Sequence, residues 1–213
     1  MSNVSSHMPV RNTLVIAALI VFAVSVEARP KGCDDSRLPP DQRWNGATSI
    51  KTPELARFYA FADEMSAAYK RGAPSTDGLA RQYLEAAKRF PCNWNYGNAI
   101  HNANAVLGLL ALHSGRKAEA VAYLSAAGAS PGSPQLDSFG PSLLLARELA
   151  EAGEHKAVAS YLVSIKSFWR TDDPSVIGMP FPIFRDPDPL STWIQELNEN
   201  RVPDFGPFNT RPP

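Results

Sequence analysis

The chain has 213 residues, and its 21 lysine and arginine residues balance its 21 aspartate and glutamate residues. An apolar share of 44% is that of a folded globular domain and excludes a disordered chain. Zero formal net charge leaves no general attraction to nucleic-acid phosphates or anionic lipids. We therefore expect no nucleic-acid partner, and membrane contact only through an uncleaved N-terminal segment.

The N-terminal residues predict export from the cytoplasm. Residues 14–26 form an apolar run after Arg11, and Val26-Glu27-Ala28 has the pattern of a signal-peptidase site. We interpret residues 1–28 as a signal peptide cleaved after Ala28, which places the mature protein in the periplasm or outside the cell. The alternative is an uncleaved segment that anchors the protein in the inner membrane.

The chain contains two cysteines, Cys33 and Cys92. An exported protein meets an oxidising compartment, where cysteines commonly pair. We predict a Cys33–Cys92 disulfide that ties the N-terminal arm to the end of the second helix, and the alternative is two free thiols. In the chain-entropy description, closing a loop of this length contributes about 4 kcal/mol to stability.

Proline is distributed unevenly along the chain. Between residues 54 and 130 only Pro74 and Pro91 occur, whereas nine prolines fall among the last 40 residues. Because proline is poorly tolerated inside helices, this predicts a helical body and an irregular tail. We assign an extended arm to residues 29–51, an all-α domain to 52–170, and a proline-rich tail to 171–213.

Capping residues, glycines and apolar periodicity predict the helices in chain order. Thr52-Pro53-Glu54 begins the first helix, and Gly72 ends it. The second helix is predicted from Ser75 to Pro91, and the third, at about 97–114, is apolar nearly all round. A fourth helix at 116–127 is followed by a loop at 130–140, a fifth helix at 141–152 and a sixth at 154–170. A short closing helix at about 190–200 begins at Asp188-Pro189-Leu190.

The predicted helices pair into three hairpins that share a repeated phrase. Tyr83-Leu84, Tyr123-Leu124 and Tyr161-Leu162 lie in the second helices at intervals of 40 and 38 residues. Gly115 and Gly153 are also 38 residues apart. A two-helix unit of this period is typical of an α-solenoid of the tetratricopeptide kind, in which a closing helix covers the last apolar face.

Four segments together resemble a group of uncharacterised bacterial tetratricopeptide-like proteins in their order and spacing. The resemblance covers roughly residues 79–206 and implies the helical-repeat fold, but it implies no particular activity. The four segments are Asn95-Tyr96-Gly97-Asn98-Ala99-Ile100-His101, Pro131-Gly132-Ser133-Pro134-Gln135-Leu136-Asp137-Ser138-Phe139-Gly140-Pro141, Phe168-Trp169, and Pro203-Asp204-Phe205-Gly206.

Asparagines around the start of the third helix form the strongest polar pattern of the chain. Asn98 and Asn102 are four residues apart and share a helical face, with His101 beside them. One interpretation is a row of amides that grips a peptide backbone or a sugar hydroxyl, joined by Asp137 and Phe139 from the long loop. The other is helix capping and contact with the loop, with Phe139 packed inward.

Common catalytic and metal-binding motifs do not occur in the sequence. We therefore expect a non-enzymatic binding or scaffold protein that holds a peptide, protein or envelope component, with neither a cofactor nor a metal. One alternative is a cell-wall or glycan hydrolase that uses carboxylates such as Glu119 or Glu148. Another is a structural or stress-related protein with no specific ligand.

Overall fold

A computed structural model describes residues 52–169, 188–209 and 212–213. The regular elements of these residues are all helical, which confirms the all-α prediction for this part of the chain. They are α1 (Pro53–Lys70), α2 (Thr76–Ala87), α3 (Tyr96–His113), α4 (Lys117–Gly128), α5 (Pro134–Phe139), α6 (Leu144–Glu151), α7 (His155–Ile165), α8 (Pro189–Asn198) and a short 3₁₀ helix (Gly206–Asn209). The predicted signal peptide, the N-terminal arm, Cys33 and tail residues 170–187 lie outside the described residues.

The start of α1 follows the capping rule that predicted it. The Thr52 hydroxyl accepts a hydrogen bond from the Leu55 N–H at 3.2 Å, and Pro53 occupies the first helical position. The start of α2 is different, because the Ser75 side chain makes no capping bond. Instead the Thr76 hydroxyl donates to the Ala73 carbonyl at 2.7 Å.

The third helix is covered on almost every side. Only Asn102, Leu110, Leu112 and His113 of its 18 residues are not buried. It contacts α2 and α4 most extensively, and it also contacts α1, α5 and α6. The prediction that a helix apolar all round must be covered is therefore confirmed.

The prediction of a loop at 130–140 is wrong in part, because these residues contain α5. The Ser133 hydroxyl accepts from the Leu136 N–H at 3.0 Å, and Pro134 stands at the first helical position. These are the same local signals that start α1. The following helix begins at Leu144, later than the predicted residue 141, and α7 ends at Ile165.

Four helices end in one hydrogen-bonding pattern. After α1, α3, α6 and α8, a residue with positive φ donates its N–H three residues back, and the next residue donates five residues back. The residues with positive φ are Gly72 (63°), Gly115 (77°), Gly153 (87°) and Asn200 (58°). By contrast, α2, α4 and α7 end with bonds that span three or four residues.

The buried apolar side chains form two clusters. One joins α1 and α2 to α3 as far as Leu107 and includes Phe58 and Tyr83, and the other joins the end of α3 to α4, α6, α7 and α8. Tyr69 and Tyr123 pack against both clusters. Because α3 contributes to both clusters, it connects the first hairpin to the rest of the domain.

The last helix covers α7, as predicted for a closing helix. Leu190, Trp193 and Leu197 of α8 are buried in the second cluster, and α8 packs on α7. The Trp193 ring also meets Phe205 edge to face, with 5.1 Å between centroids.

Cys92 lies after α2 and has no free thiol. Its predicted partner, Cys33, lies outside the described residues, so the specific pairing stays a prediction. None of the helices that the structure describes is both long enough and apolar enough to cross a bilayer.

We predict that the charge of Asp188 stabilises α8 only above strongly acidic pH. Burial raises the pKa of this carboxyl, but hydrogen bonds from Ser191 and the Lys166 ammonium lower it by more, so the net shift is downward. A lowered pKa in the folded state stabilises the fold above the unfolded value of about 3.9, and this stabilisation is lost as the pH falls through the folded value.

The test is Asp188→Asn, which keeps a capping side chain but removes the charge. Since Asp188 is partly exposed, we expect the free energy of unfolding at pH 7 to fall by less than about 1 kcal/mol. Urea unfolding should show that the variant and the wild type become equally stable near pH 2. A difference that persists at pH 2 would contradict the assignment.

Candidate functional site

The five predicted site residues differ widely in exposure. Asn98 and His101 are buried, Asn102 and Asp137 are half-buried, and Phe139 is 53% exposed. The expected row of exposed polar side chains on α3 is therefore not observed at Asn98 or His101. Both residues lie in the interior, so only the edge of this group reaches the surface.

Asn98 is bound by the segment that follows α4. The Ser133 hydroxyl donates to its Oδ1, and its Nδ2 donates to the Gln135 Oε1 at 3.3 Å and to the Asn95 Oδ1 at 2.9 Å. Ser133 also caps α5. The same hydroxyl thus connects the start of α5 to α3, and the Asn98 side chain is hydrogen-bonded within the protein.

The start of α3 and the segment after α4 also approach each other closely at Gly97, the residue before Asn98. The Ser130 hydroxyl donates to the Gly97 carbonyl at 2.8 Å and accepts from the Gly132 N–H at 3.1 Å. A Cβ atom on Gly97 would overlap the carbonyl group of Gly132. Only glycine permits this approach, so the position of residues 130–133 depends on the absence of a side chain at Gly97.

The polar contacts continue from Asn98 into the first hairpin. The Asn95 Nδ2 donates to the Tyr83 hydroxyl at 3.0 Å, and the Asn93 Oδ1 accepts from the Asn95 N–H at 2.9 Å. The Asn93 Nδ2 donates to the Tyr59 hydroxyl at 2.9 Å. The amides therefore join α1, α2 and α5 at the start of α3.

His101 connects α3 to α7. Its Nδ1 lies 3.0 Å from the Asn102 Oδ1, which can only accept, so Nδ1 carries the proton. Its Nε2 then accepts from the Tyr161 hydroxyl at 2.8 Å. His101 has no exposed surface and Tyr161 is buried, so this hydrogen bond is removed from water.

Phe139 is presented to solvent by a helix that is fixed at both ends. Ser133 binds Asn98 at the start of α5, and Leu136 is buried beneath it. At the other end, a Cβ atom on Gly140 would overlap the Trp169 ring, so the backbone lies directly on that indole. Phe139 is therefore not the inward plug that one interpretation expected.

The two carboxylates considered for hydrolysis, Glu119 and Glu148, and the nearby Glu154 each lie beside a basic side chain. His113 Nε2 is 2.7 Å from the Glu148 Oε2, Arg116 Nε is 2.8 Å from the Glu119 Oε2, and Lys117 Nζ is 2.8 Å from the Glu154 Oε1. These are contacts near the helix turns. Within the described residues, no group of three or more histidine, cysteine, aspartate or glutamate side chains could hold a metal ion.

The sequence interpretation missed the partners of the buried amides. Ser130, Ser133 and Gln135 lie more than thirty residues from their partners on α3, and Tyr161 lies 60 residues from His101. The Ser133-Pro134 pair could have identified α5. Nothing local marks Tyr161 as a partner of His101.

Comparisons with family models, with curated proteins and with solved structures find no match to this chain. The resemblance to tetratricopeptide-like proteins therefore stays a prediction. The hydrogen bonds and the burial of the chain's own residues are therefore the basis for a function.

We predict that Gly97→Ala displaces residues 130–133 from α3. The added methyl group overlaps backbone, which cannot rotate away as a side chain can, so we expect a loss of about 3 kcal/mol or more in the free energy of unfolding. Gly78→Ala is the matched control, because a Cβ there meets no atom within 4 Å. Because Gly78 lies in the first turn of α2, the substitution should raise stability by no more than about 1 kcal/mol. Equal effects of the two substitutions in urea unfolding would contradict the close approach.

We predict that Tyr161 contributes to a loss of stability in alkali. Burial raises the pKa of Tyr161, and it also raises the pKa of Tyr83 against an opposing hydrogen bond from Asn95. Because each folded value lies above the unfolded value of about 10, this stabilisation is present below pH 10 and is lost as the pH rises further. Each tyrosine should add a slope of about 1.4 kcal/mol per pH unit.

Tyr161→Phe tests this contribution. Removing this titrating group should make the fall of the unfolding free energy above pH 10 shallower by about 1.4 kcal/mol per pH unit. At pH 7 the variant should be less stable by about 1–3 kcal/mol, because the His101 Nε2 loses its buried donor. An unchanged alkaline slope in pH-dependent urea unfolding would show that Tyr161 is not protected from ionisation.

Proposed function

We propose that the chain is an exported helical-repeat protein that binds a peptide or protein of the cell envelope without catalysis. Its described helices form three stacked hairpins, α1–α2, α3–α4 and α6–α7. The exposed face of α5, around Phe139, is the binding surface. The observation that carries the proposal is the presentation of an exposed phenylalanine by a short helix fixed at both ends.

The shared helix ends support the repeat. The first helix of each hairpin ends at a glycine with positive φ, and the second helices do not. Contacts between successive turns support stacking. Lys117, two residues after Gly115, donates to the Ala152 carbonyl at 3.3 Å and pairs with Glu154 in the next turn. Equivalent turns therefore lie side by side, as expected when two-helix units stack.

The binding surface is on α5 because α3 is nearly covered. A concave groove along α3 would need exposed side chains there, whereas Asn98 and Asn104 are buried and their amide nitrogens are hydrogen-bonded within the protein. By contrast, α5 exposes Gln135 and Ser138 beside Phe139. A large aromatic side chain with amide and hydroxyl groups around it suits a peptide or protein partner, because aromatic residues commonly dominate such interfaces.

The side-chain contacts of these carboxylates favour binding over hydrolysis. A glycosidase needs two carboxyl groups set apart across a substrate. Glu119, Glu148 and Glu154 instead pair with Arg116, His113 and Lys117, respectively. Four of these six side chains are more than 40% exposed, so the contacts are typical of a solvated surface.

The test compares Phe139 with Val163, an apolar residue of α7 that is 57% exposed. A photo-crosslinking amino acid is placed at each position in turn, and the full chain is irradiated in cells from which it derives. We expect one discrete adduct from position 139 that is missing from position 163. In pull-downs of that partner, Phe139→Ala should reduce recovery about tenfold or more, and Val163→Ala should not.

Both variants must first show the circular-dichroism spectrum of the wild type. Identical adducts from the two positions, or an unchanged recovery with Phe139→Ala, would overturn the assignment of the surface. Absence of any adduct from position 139 would count against a binding role for α5 altogether.

A further inference from the structure

We infer that residues 189–209 are a fourth, incomplete repeat, in which α8 is the first helix and an aromatic segment without an α-helix replaces the second. The inference rests on the repeat architecture proposed above. It extends that architecture to a part of the chain that shows no repeated sequence phrase.

The end of α8 is the first observation. The Asn200 N–H donates to the Leu197 carbonyl at 3.0 Å, and the Arg201 N–H donates to the Glu196 carbonyl at 2.9 Å. This pair of bonds also closes α1, α3 and α6, whereas α2, α4 and α7 end differently. Asn200, with φ of 58°, is the only non-glycine residue among those described that has positive φ. The hydrogen bonds at its C-terminus therefore group α8 with the first helix of each hairpin.

The contact between turns is the second, independent observation. His155 lies two residues after Gly153, and its Nδ1 is 3.3 Å from the Asn200 Oδ1. Lys117 stands in the same position after Gly115 and reaches the turn at Gly153. The contact from the turn at Gly115 to the turn at Gly153 is therefore matched by a contact from the turn at Gly153 to the turn at Asn200.

The packing of α8 agrees with this position. It lies on α7, the second helix of the preceding hairpin, as α3 lies on α2. Ser191, Thr192 and Gln195 are exposed on its other side. A polar outer face of this kind is what a terminal repeat presents to solvent.

The residues after Asn200 take the place of a second helix. They return toward the start of α6, where the Phe208 carbonyl accepts from the Leu143 N–H at 3.0 Å. Phe205 is fully buried against Trp193, and the Phe208 ring lies 4.9 Å from that of Trp169. Pro203 and Pro207 prevent a regular helix in this segment, because proline cannot donate a backbone hydrogen bond. Aromatic side chains therefore cover α8 where a second helix would otherwise pack.

The first experiment substitutes the turn residue. The test is made in a His155→Ala background, because in the wild type Asn200→Gly would also remove the contact between Asn200 and His155. If Asn200 occupies the position of Gly72, Gly115 and Gly153, Asn200→Gly in this background should raise Tm by about 2 °C, because glycine adopts this backbone conformation without strain. Asn198→Gly, within α8, is the control and should lower Tm. A fall in Tm with Asn200→Gly would overturn the assignment of this turn.

The second experiment measures amide hydrogen exchange in the full chain with Phe205→Ala. Since a repeat contacts only its neighbours, exchange should become at least tenfold faster in α8 and at its contact with α7, while α1 and α2 remain unchanged. Val202→Ala, at a residue 43% exposed, is the control. Unchanged exchange in α8, or equal acceleration in α1, would overturn the inference. Neither result depends on Phe139, so the failure of the binding proposal is read separately.

Discussion

The close approach between Gly97 and residues 130–133 is the constraint on which the rest of the structure depends. A hydroxyl and an amide, Ser130 and Asn98, occupy the hydrogen-bonding groups that this approach buries. Without them the Gly132 N–H and the Ser133 hydroxyl would lose hydrogen-bonding partners in the interior, which costs more than a hydrogen bond contributes. The contact fixes the start of α5, and α5 in turn fixes Phe139. Packing at α3 thereby determines where the exposed Phe139 ring lies.

Elements with local signals could be predicted from the sequence. Thr52-Pro53 starts α1 and Asp188-Pro189 starts α8, since in both places a side-chain oxygen caps the helix and proline takes the first position. Gly115 and Gly153 ended helices as predicted, because positive φ suits glycine. These features act within one helical turn, so a short window of sequence contains the information that specifies them.

The interior of the candidate site could not be predicted in the same way. Its hydrogen bonds join residues far apart in the chain, such as His101 and Tyr161, and helical periodicity says nothing about which helix a buried side chain meets. Asparagines at the start of a helix are also ambiguous, because the same amide can cap a helix, bind a ligand or join two segments. Asn95 shows the difficulty. It is the residue before α3, yet its side chain donates to Tyr83 and makes no capping bond.

The buried amides also explain how this helical domain holds the segment between α4 and α6 in one place. Uniform apolar packing between hairpins specifies position weakly, whereas a hydrogen-bonded polar group has only one arrangement that satisfies all its members. At the start of α3, Asn95 and Asn98 connect the first hairpin to the segment that precedes α6. An apolar substitute such as leucine at Asn98 would leave the Ser133 hydroxyl buried without its acceptor. The polar residues at this junction therefore hold α5 in one place, while the apolar clusters supply most of the stability.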